Sequence, residues 1–415
     1  MDSPRYLSLF CGYGIEIEYM IVDRSRLAVL PVSDRLISSV SGSVVNDVER
    51  GALAWSNELV MHVLEVKTNG PAAGLAGLPE LFLENVRDIN ARLEAMHGML
   101  MPTGMHPWMD PYKETRLWNH DNREIYDTFN RIFNCQGHGW SNLQSMHINL
   151  PFADDREVAL LHDAIRVLLP VLPALAASTP FADGGFTGMM DTRLEVYRHN
   201  SKRIPSITGL VIPEAVSSEQ EYRTTILEPM YRDIAPHDPD GVLQDEWLNS
   251  RGAIARFDRH TIEIRTLDTQ ETPASDLAIA AMIVSVLKSL IAGQWSEPGR
   301  LSSVATGALA EMLLDFIVNA DQGVIHNRDF LDIFSFPDRK CSGMEFWQYL
   351  REVTAFEDNG NPVLAPALDH ILSQGPVARR MLRATGQDVK QPRLEETYRC
   401  LCRCLAAGEM FRGID

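Results

Sequence analysis

Three short segments that alternate apolar and ionisable residues constrain this chain more than any other feature. Gly14-Ile15-Glu16-Ile17-Glu18-Tyr19, Ser145-Met146-His147-Ile148-Asn149-Leu150 and Thr261-Ile262-Glu263-Ile264-Arg265 each repeat with period two. Side chains two apart on a strand share a face. Glu16 with Glu18, His147 with Asn149, and Glu263 with Arg265 therefore each occupy one side, opposite an apolar side that needs a core. A fourth segment, within 57–68, sets Glu65 and Lys67 against Leu64 and Val66, with Glu58 just before it. Any one such strand describes an antiparallel sheet with a solvated face. Taken together the polar sets are Glu, His, Asn, Lys and Arg, which hold hard divalent cations and phosphates. Several carboxylates on one face repel one another unless cations neutralise them.

The chain lacks G-x-x-x-x-G-K-[ST] and has no G-x-G-x-x-G after a strand. A nucleotide on this sheet is thus expected to be held by metals and arginines, not by a glycine cradle. The net charge of −18 (38 Lys plus Arg against 56 Asp plus Glu) argues against nucleic acid or an anionic membrane as partner. There is no long uninterrupted apolar run for a membrane span, and the N-terminal apolar stretch is too short and too soon acidic for a signal peptide. Six cysteines are too few for a disulfide scaffold, so a cytoplasmic protein is expected.

Strand patterns over 8–23, 57–68, 144–150 and 252–268 are scattered among helical patterns at 75–97, 120–136 and 154–178. Pro170 and Pro173 predict a bend near 170 in the last of these. Residues 99–112 read as a strand end and loop, and 180–220, rich in Gly, Pro and Ser, as a long loop. Beyond Pro273 helical patterns follow at 274–293, 305–319, 343–354, 362–373, 377–384 and 393–408. The fold class is α+β, with a helical C-terminal third. A core of 1–295 and a helical part of 296–415 packed on it are expected.

These residues resemble a known family. Gly14-Ile15-Glu16-Ile17-Glu18 is similar to the first strand of the type-2 glutamate–cysteine ligase (carboxylate-amine ligase) family, within the glutamine synthetase-like superfamily. Four further stretches follow in the family's order over roughly residues 8–290. They are Thr103-Gly104-Met105-His106-Pro107; Ser145-Met146-His147-Ile148-Asn149; Ala177-Ser178-Thr179-Pro180-Phe181 with Gly185, Gly188 and Tyr197-Arg198; and Arg256-Phe257 with Thr261-Ile262-Glu263-Ile264-Arg265 and Asp268-Thr269-Gln270.

The resemblance implies a curved antiparallel sheet with helices on its outer face. It also implies amide formation from a carboxylate and an amine, using ATP and Mg²⁺ (or Mn²⁺) through an acyl phosphate. Glu16, Glu18, Glu58, Glu65, His147 and Glu263 are the implied metal ligands. Arg265 is the implied γ-phosphate contact, with Lys67 and Arg256 as further nucleotide contacts, and Arg198 the implied anchor for the donor carboxylate. Glutamate or a similar amino acid is the implied donor. Small-molecule amino acid and amine substrates and a homodimeric assembly are expected.

The sequence departs from the family's pattern at Asn149, where a second histidine is usual, at Leu150-Pro151, and in Gln136–Asn142. A non-cysteine acceptor in a specialised pathway is therefore an alternative, and an inactive nucleotide- or amino-acid-binding homologue is another. His106 reads either as a site residue or as the holder of a turn. Cys400, Cys402 and Cys404 read as packing in a buried helix, since a zinc site needs four convergent ligands.

Overall fold

β1 (Gly14–Asp23) is the axis of the molecule, which the computed structural model describes for residues 6–358 and 360–414. After it come β2 (Asp47–Arg50), β3 (Leu53–Asn57), β4 (Val63–Thr68), β5 (Gly98–Met101) and β6 (Ser145–Pro151). A small hairpin, β7 (Phe181–Ala182) and β8 (Gly185–Phe186), precedes β9 (Ala253–Arg256) and β10 (Thr261–Asp268). The main sheet runs β2-β3-β4-β1-β6-β10-β9, with β5 paired to the far end of β1. All of its pairings are antiparallel.

The sheet's two faces separate as the alternation requires. Ile15, Ile17, Tyr19, Met146, Ile148, Ile262 and Ile264 enter the main core. Helix Leu78–Glu94 meets that core with Leu78, Phe82, Val86, Ile89 and Leu93, one stripe at helical spacing, and Pro79 sits in its first turn where no N–H is lost. Helix Pro273–Ile291 is buried nearly all round, as a fully internal helix must be. By length and composition it could cross a membrane, but 83% of its apolar window is buried inside the molecule. Among the described residues no other helix meets that test. The C-terminal helices join the same core through Phe316, Phe330, Trp347 and Leu368.

Helix Asp155–Leu168 starts at Asp154, whose carboxylate accepts from the Glu157 N–H, and gives way to a 3₁₀ turn, Leu169–Val171, before Pro173–Ala176 resumes. The break falls at the two prolines, as expected. Two sequence expectations are corrected. The stretch 252–268 is a hairpin, not one strand, because the chain reverses at Phe257–His260 with His260 at a φ of 52°. The stretch 180–220 is not all loop. It holds helix Thr192–Tyr197, capped by Asp191, a short helix whose polar neighbours hid its periodicity. Strand β2 and helix Ser33–Ser41 were also not legible: β2 is only four residues long and polar.

Candidate active site

The register places the ionisable side chains in one patch. Across β1 and β4, Glu16 pairs with Lys67 and Glu18 with Glu65; across β1 and β6, Glu16 pairs with His147; across β6 and β10, Asn149 pairs with Glu263. This face is not solvated. Glu18, Glu65, His147 and Glu263 are all buried, and Glu16 is partly so. Gly14 faces Asn149, and a Cβ there would come within 2.8 Å of the Asn149 Cβ, so the close approach of β1 to β6 depends on glycine.

Each carboxylate has defined partners. His147 Nδ1 lies 3.1 Å from Glu16 and 3.5 Å from Glu263, while Asn149 donates to Glu16 at 3.2 Å. The Ser145 N–H and hydroxyl donate to Glu18 at 2.7 and 3.0 Å. Glu65 accepts from the Ser56 hydroxyl at 2.7 Å and pairs with Lys67 at 3.1 Å, and Lys67 also reaches Asp47 at 2.9 Å. Arg265 Nε lies 2.9 Å from Glu263, an ion pair without hydrogen-bond alignment, and Arg265 Nη1 donates to the Asn249 carbonyl.

The charge balance of the patch is uneven. Burial raises the Glu65 carboxyl, Glu16 adds to the shift, and it stands at about 7 despite Lys67. Burial likewise pushes Glu58 well above its ordinary value, helped by Glu18 and Glu65. At Glu16 burial also acts upward, but the hydrogen bond and charge of His147, with Lys67 and Arg259, outweigh it and hold the group at about 2. Burial works against a charged His147, yet Glu16, Glu263 and Glu18 raise it. Carboxyls held high by burial, and further by one another, mark a place where added positive charge is favourable.

Two groups of donors converge there: Glu16, His147 and Glu263, and Glu18, Glu65 and His147, with ligand atoms within 4.8 Å of one another in each. Carboxylate oxygens with one imidazole suit a hard divalent cation, so the residues fit the expected metals. Glu58 lies in the loop after β3 and faces the same patch without joining either group.

Two cavities flank the patch. One, of about 610 Å³, reaches Glu16, Lys67 and Asn149 and is walled by Gly12, Tyr13 and Pro71. The other, of about 510 Å³, reaches Glu18, Glu58 and His147 and carries Arg193, Arg256 and Arg265. Arg259, at the β9–β10 turn, lines both.

Arg198 is not brought to this place. It ends helix Thr192–Tyr197, pairs with Glu195 at 3.0 Å and lines neither cavity. Arg193, one turn earlier on the same helix, does line the second cavity. Arg193 and Arg259 were missed in the sequence. Arg193 has a readable signal only in the Asp191 cap that starts its helix.

Several motif residues prove to be supports. Asp268 accepts from the Ser178 N–H at 2.8 Å and the Thr179 hydroxyl at 2.9 Å, and lies 3.5 Å from Arg193 Nη1. Gly104 donates to Ser178, and a Cβ there would lie 2.8 Å from Asp268 Cγ and 2.9 Å from Arg193 Cδ. Thr269 donates its hydroxyl to the Glu18 carbonyl at 3.0 Å, fastening this knot to β1. His106 is buried with Nε2 2.7 Å from the Leu27 carbonyl, and burial lowers it to about 4, so it is a neutral structural staple. Burial raises Cys402 and Cys404 to about 12, and both pack with Leu401 and Tyr398 in a satellite core.

Comparison with known proteins bears on the family and the fold. The family model "Glutamate-cysteine ligase family 2(GCS2)" matches residues 13–307. An uncharacterized protein of Archaeoglobus fulgidus is 39% identical over 277 residues, covering 66% of this chain and 74% of that one. A Ruegeria pomeroyi protein, named as a candidate glutamate–cysteine ligase 2, is 28% identical over 286 residues, covering 67% of this chain and 65% of its own. The crystal structure of glutamate–cysteine ligase from Francisella tularensis in complex with AMP superposes with a TM-score of 0.58 at 12% identity, covering 95% of this chain and 89% of that one. That likeness identifies the fold as glutamine synthetase-like. The chain belongs to Glutamate-cysteine ligase family 2, a family of ATP-dependent carboxylate–amine ligases.

Proposed function

We propose that the protein joins the carboxyl group of an amino acid, glutamate or a close analogue, to an amine through an acyl phosphate. The observation that carries this reading is the pair of cavities meeting a buried carboxylate–histidine patch, with Arg259 in both walls. A ligase of this kind must bring a nucleoside triphosphate and an acid to one point from separate pockets.

The first cavity suits the nucleotide. Gly12 and Gly14 line it, Tyr13 and Pro71 offer flat apolar walls, and Lys67 and Arg259 supply positive charge for phosphates. The second suits the acid, whose carboxylates find Arg193, Arg256 and Arg265. A carboxylate cannot be displaced by an amine directly, because oxide is the leaving group. A donor oxygen therefore bonds to the γ-phosphorus as the bond to ADP breaks. The amine nitrogen then bonds to the acyl carbon, the carbon–oxygen bond to phosphate breaks, and the nitrogen loses a proton.

Such transfer depends on positioning and charge neutralisation. Divalent cations held by Glu16, His147 and Glu263 and by Glu18, Glu65 and His147 would supply Lewis-acid neutralisation of the phosphates. The chain's own part is orientation. Ser145 and Asn149 fix Glu18 and Glu16, and the Glu263–Arg265 pair sets a guanidinium beside the patch.

ADP release from Mg-ATP, measured with single acids and with acid–amine pairs, tests the proposal. Release that needs one acid and one amine is expected. Absence of acid-dependent release, and absence of nucleotide binding, would overturn it.

A further inference from the structure

The second cavity has an aromatic wall that an acid and a small polar amine do not account for. Helix Arg123–Phe133 runs along its rim between two left-handed asparagines, Asn122 and Asn134. Tyr126, Phe129 and Phe133 are spaced i, i+3 and i+7, so they form one stripe. All three rings are partly buried, packing against the main core while keeping an accessible edge.

Trp140 and Trp247 extend the stripe. Ring centroids are 5.1 Å apart for Phe129–Trp140, 5.4 Å for Phe133–Trp140 and 5.8 Å for Phe129–Trp247. Trp140 is brought there by Gly139, whose place leaves no room for a Cβ against the Asn200 side chain. Tyr126, Phe129, Trp140 and Trp247 line the same cavity as Glu18, Glu58 and His147.

Resting on the ligase reading above, we infer that the acceptor is an amine carrying an aromatic ring, not cysteine. The arginines beside His147 take the donor's carboxylates, which leaves the aromatic wall for the acceptor. Its amine end faces the carboxyl groups of Glu58 and Glu18, which accept hydrogen bonds from it, and its ring stacks on Phe129, Trp140 and Trp247. A thiol-sized acceptor would leave those rings facing water. In the reaction the ammonium first gives up one proton to free its lone pair; the nitrogen then bonds to the acyl carbon, the bond to phosphate breaks, and the nitrogen gives up a second proton.

Calorimetric titration of the full chain with Mg-ADP and glutamate present tests this directly, using phenethylamine, L-phenylalanine, L-cysteine and ethanolamine. One of the two aromatic amines is expected to bind at least about tenfold more tightly than cysteine or ethanolamine. Trp140→Ala is expected to weaken it about tenfold, the scale of one buried aromatic anchor, while ethanolamine is unaffected. Phe129→Leu, which keeps the helix stripe apolar, should weaken it in the same direction. Cysteine binding as tightly as the aromatic amines, no binding of either aromatic amine, or equal loss for every amine in both variants would overturn the inference. ADP release in parallel samples judges the ligase reading separately, since acid-dependent release with cysteine alone would sustain the ligase and refute the aromatic acceptor.

Discussion

Glu18 and Glu65 stand directly opposite each other across β1 and β4, both nearly excluded from water. Like charges so placed destabilise a sheet. The fold accepts them because Ser145 holds one and Ser56 with Lys67 holds the other. A site arranged at this cost is expected to respond to cations.

Mg²⁺ or Mn²⁺ should therefore stabilise the protein. Unfolding followed by calorimetry is expected to show a rise in Tm of a few degrees, since a kcal/mol is worth about 2–4 °C in chains of roughly 150–250 residues and less in a larger one. Glu65→Gln should raise the Tm of the cation-free protein and shrink the cation response. An equal cation response in the variant would remove Glu65 from the binding group.

Glu263 touches both His147 and Arg265. Glu263→Gln keeps the shape and removes the charge. ATP turnover is expected to fall by about 10²-fold or more, the scale of losing one preorganised charge at the transferring group, with the circular dichroism spectrum unchanged. Normal turnover in this variant would sink its assignment to the site.

The second cavity gives different parts to two arginines. Arg256 lines it, paired with Asp258, whereas Arg198 lies outside its lining with Glu195. Steady-state kinetics should show Arg256→Ala raising the donor KM by about tenfold or more, near 1.4 kcal/mol of binding. Arg198→Ala should leave it within about twofold. The reverse pattern would restore Arg198 as the anchor.

His62 is fully buried, with Nε2 2.7 Å from the Ser141 carbonyl, and burial lowers it to about 4. The unfolded chain takes up its proton near the ordinary value of about 6.5. Stability from a neutral His62 is thus complete above about pH 6.5 and is lost as pH falls toward 4, by on the order of 3 kcal/mol. Wild type compared with His62→Gln by denaturant unfolding should show their difference change over that window in wild type's disfavour. A difference independent of pH would contradict the assignment.

Much of this was legible because strand alternation is a local signal. The polar faces of β1, β4, β6 and β10 could be read from Glu16, Glu65, His147 and Glu263 without knowing the register, and the register then placed them together. The C-terminal helices were legible for the same reason, through apolar spacing. Arg193 and Arg259 were not, since each reaches the cavity through tertiary position: one from a six-residue helix, one from a hairpin turn inside what reads as a single strand. The parts of Gly104, Ser178 and Asp268 were hidden too. Their motifs are far apart in the chain, and only the fold shows that they hold one another.

The most direct test of the central claim is isotopic. The protein is given Mg-ATP, an acceptor amine and a donor amino acid labelled with ¹⁸O in its carboxyl groups, and the released phosphate is examined by mass spectrometry. Transfer through an acyl phosphate predicts ADP, an amide and inorganic phosphate carrying one ¹⁸O per turnover. Unlabelled phosphate, or AMP with pyrophosphate in place of ADP, would contradict it.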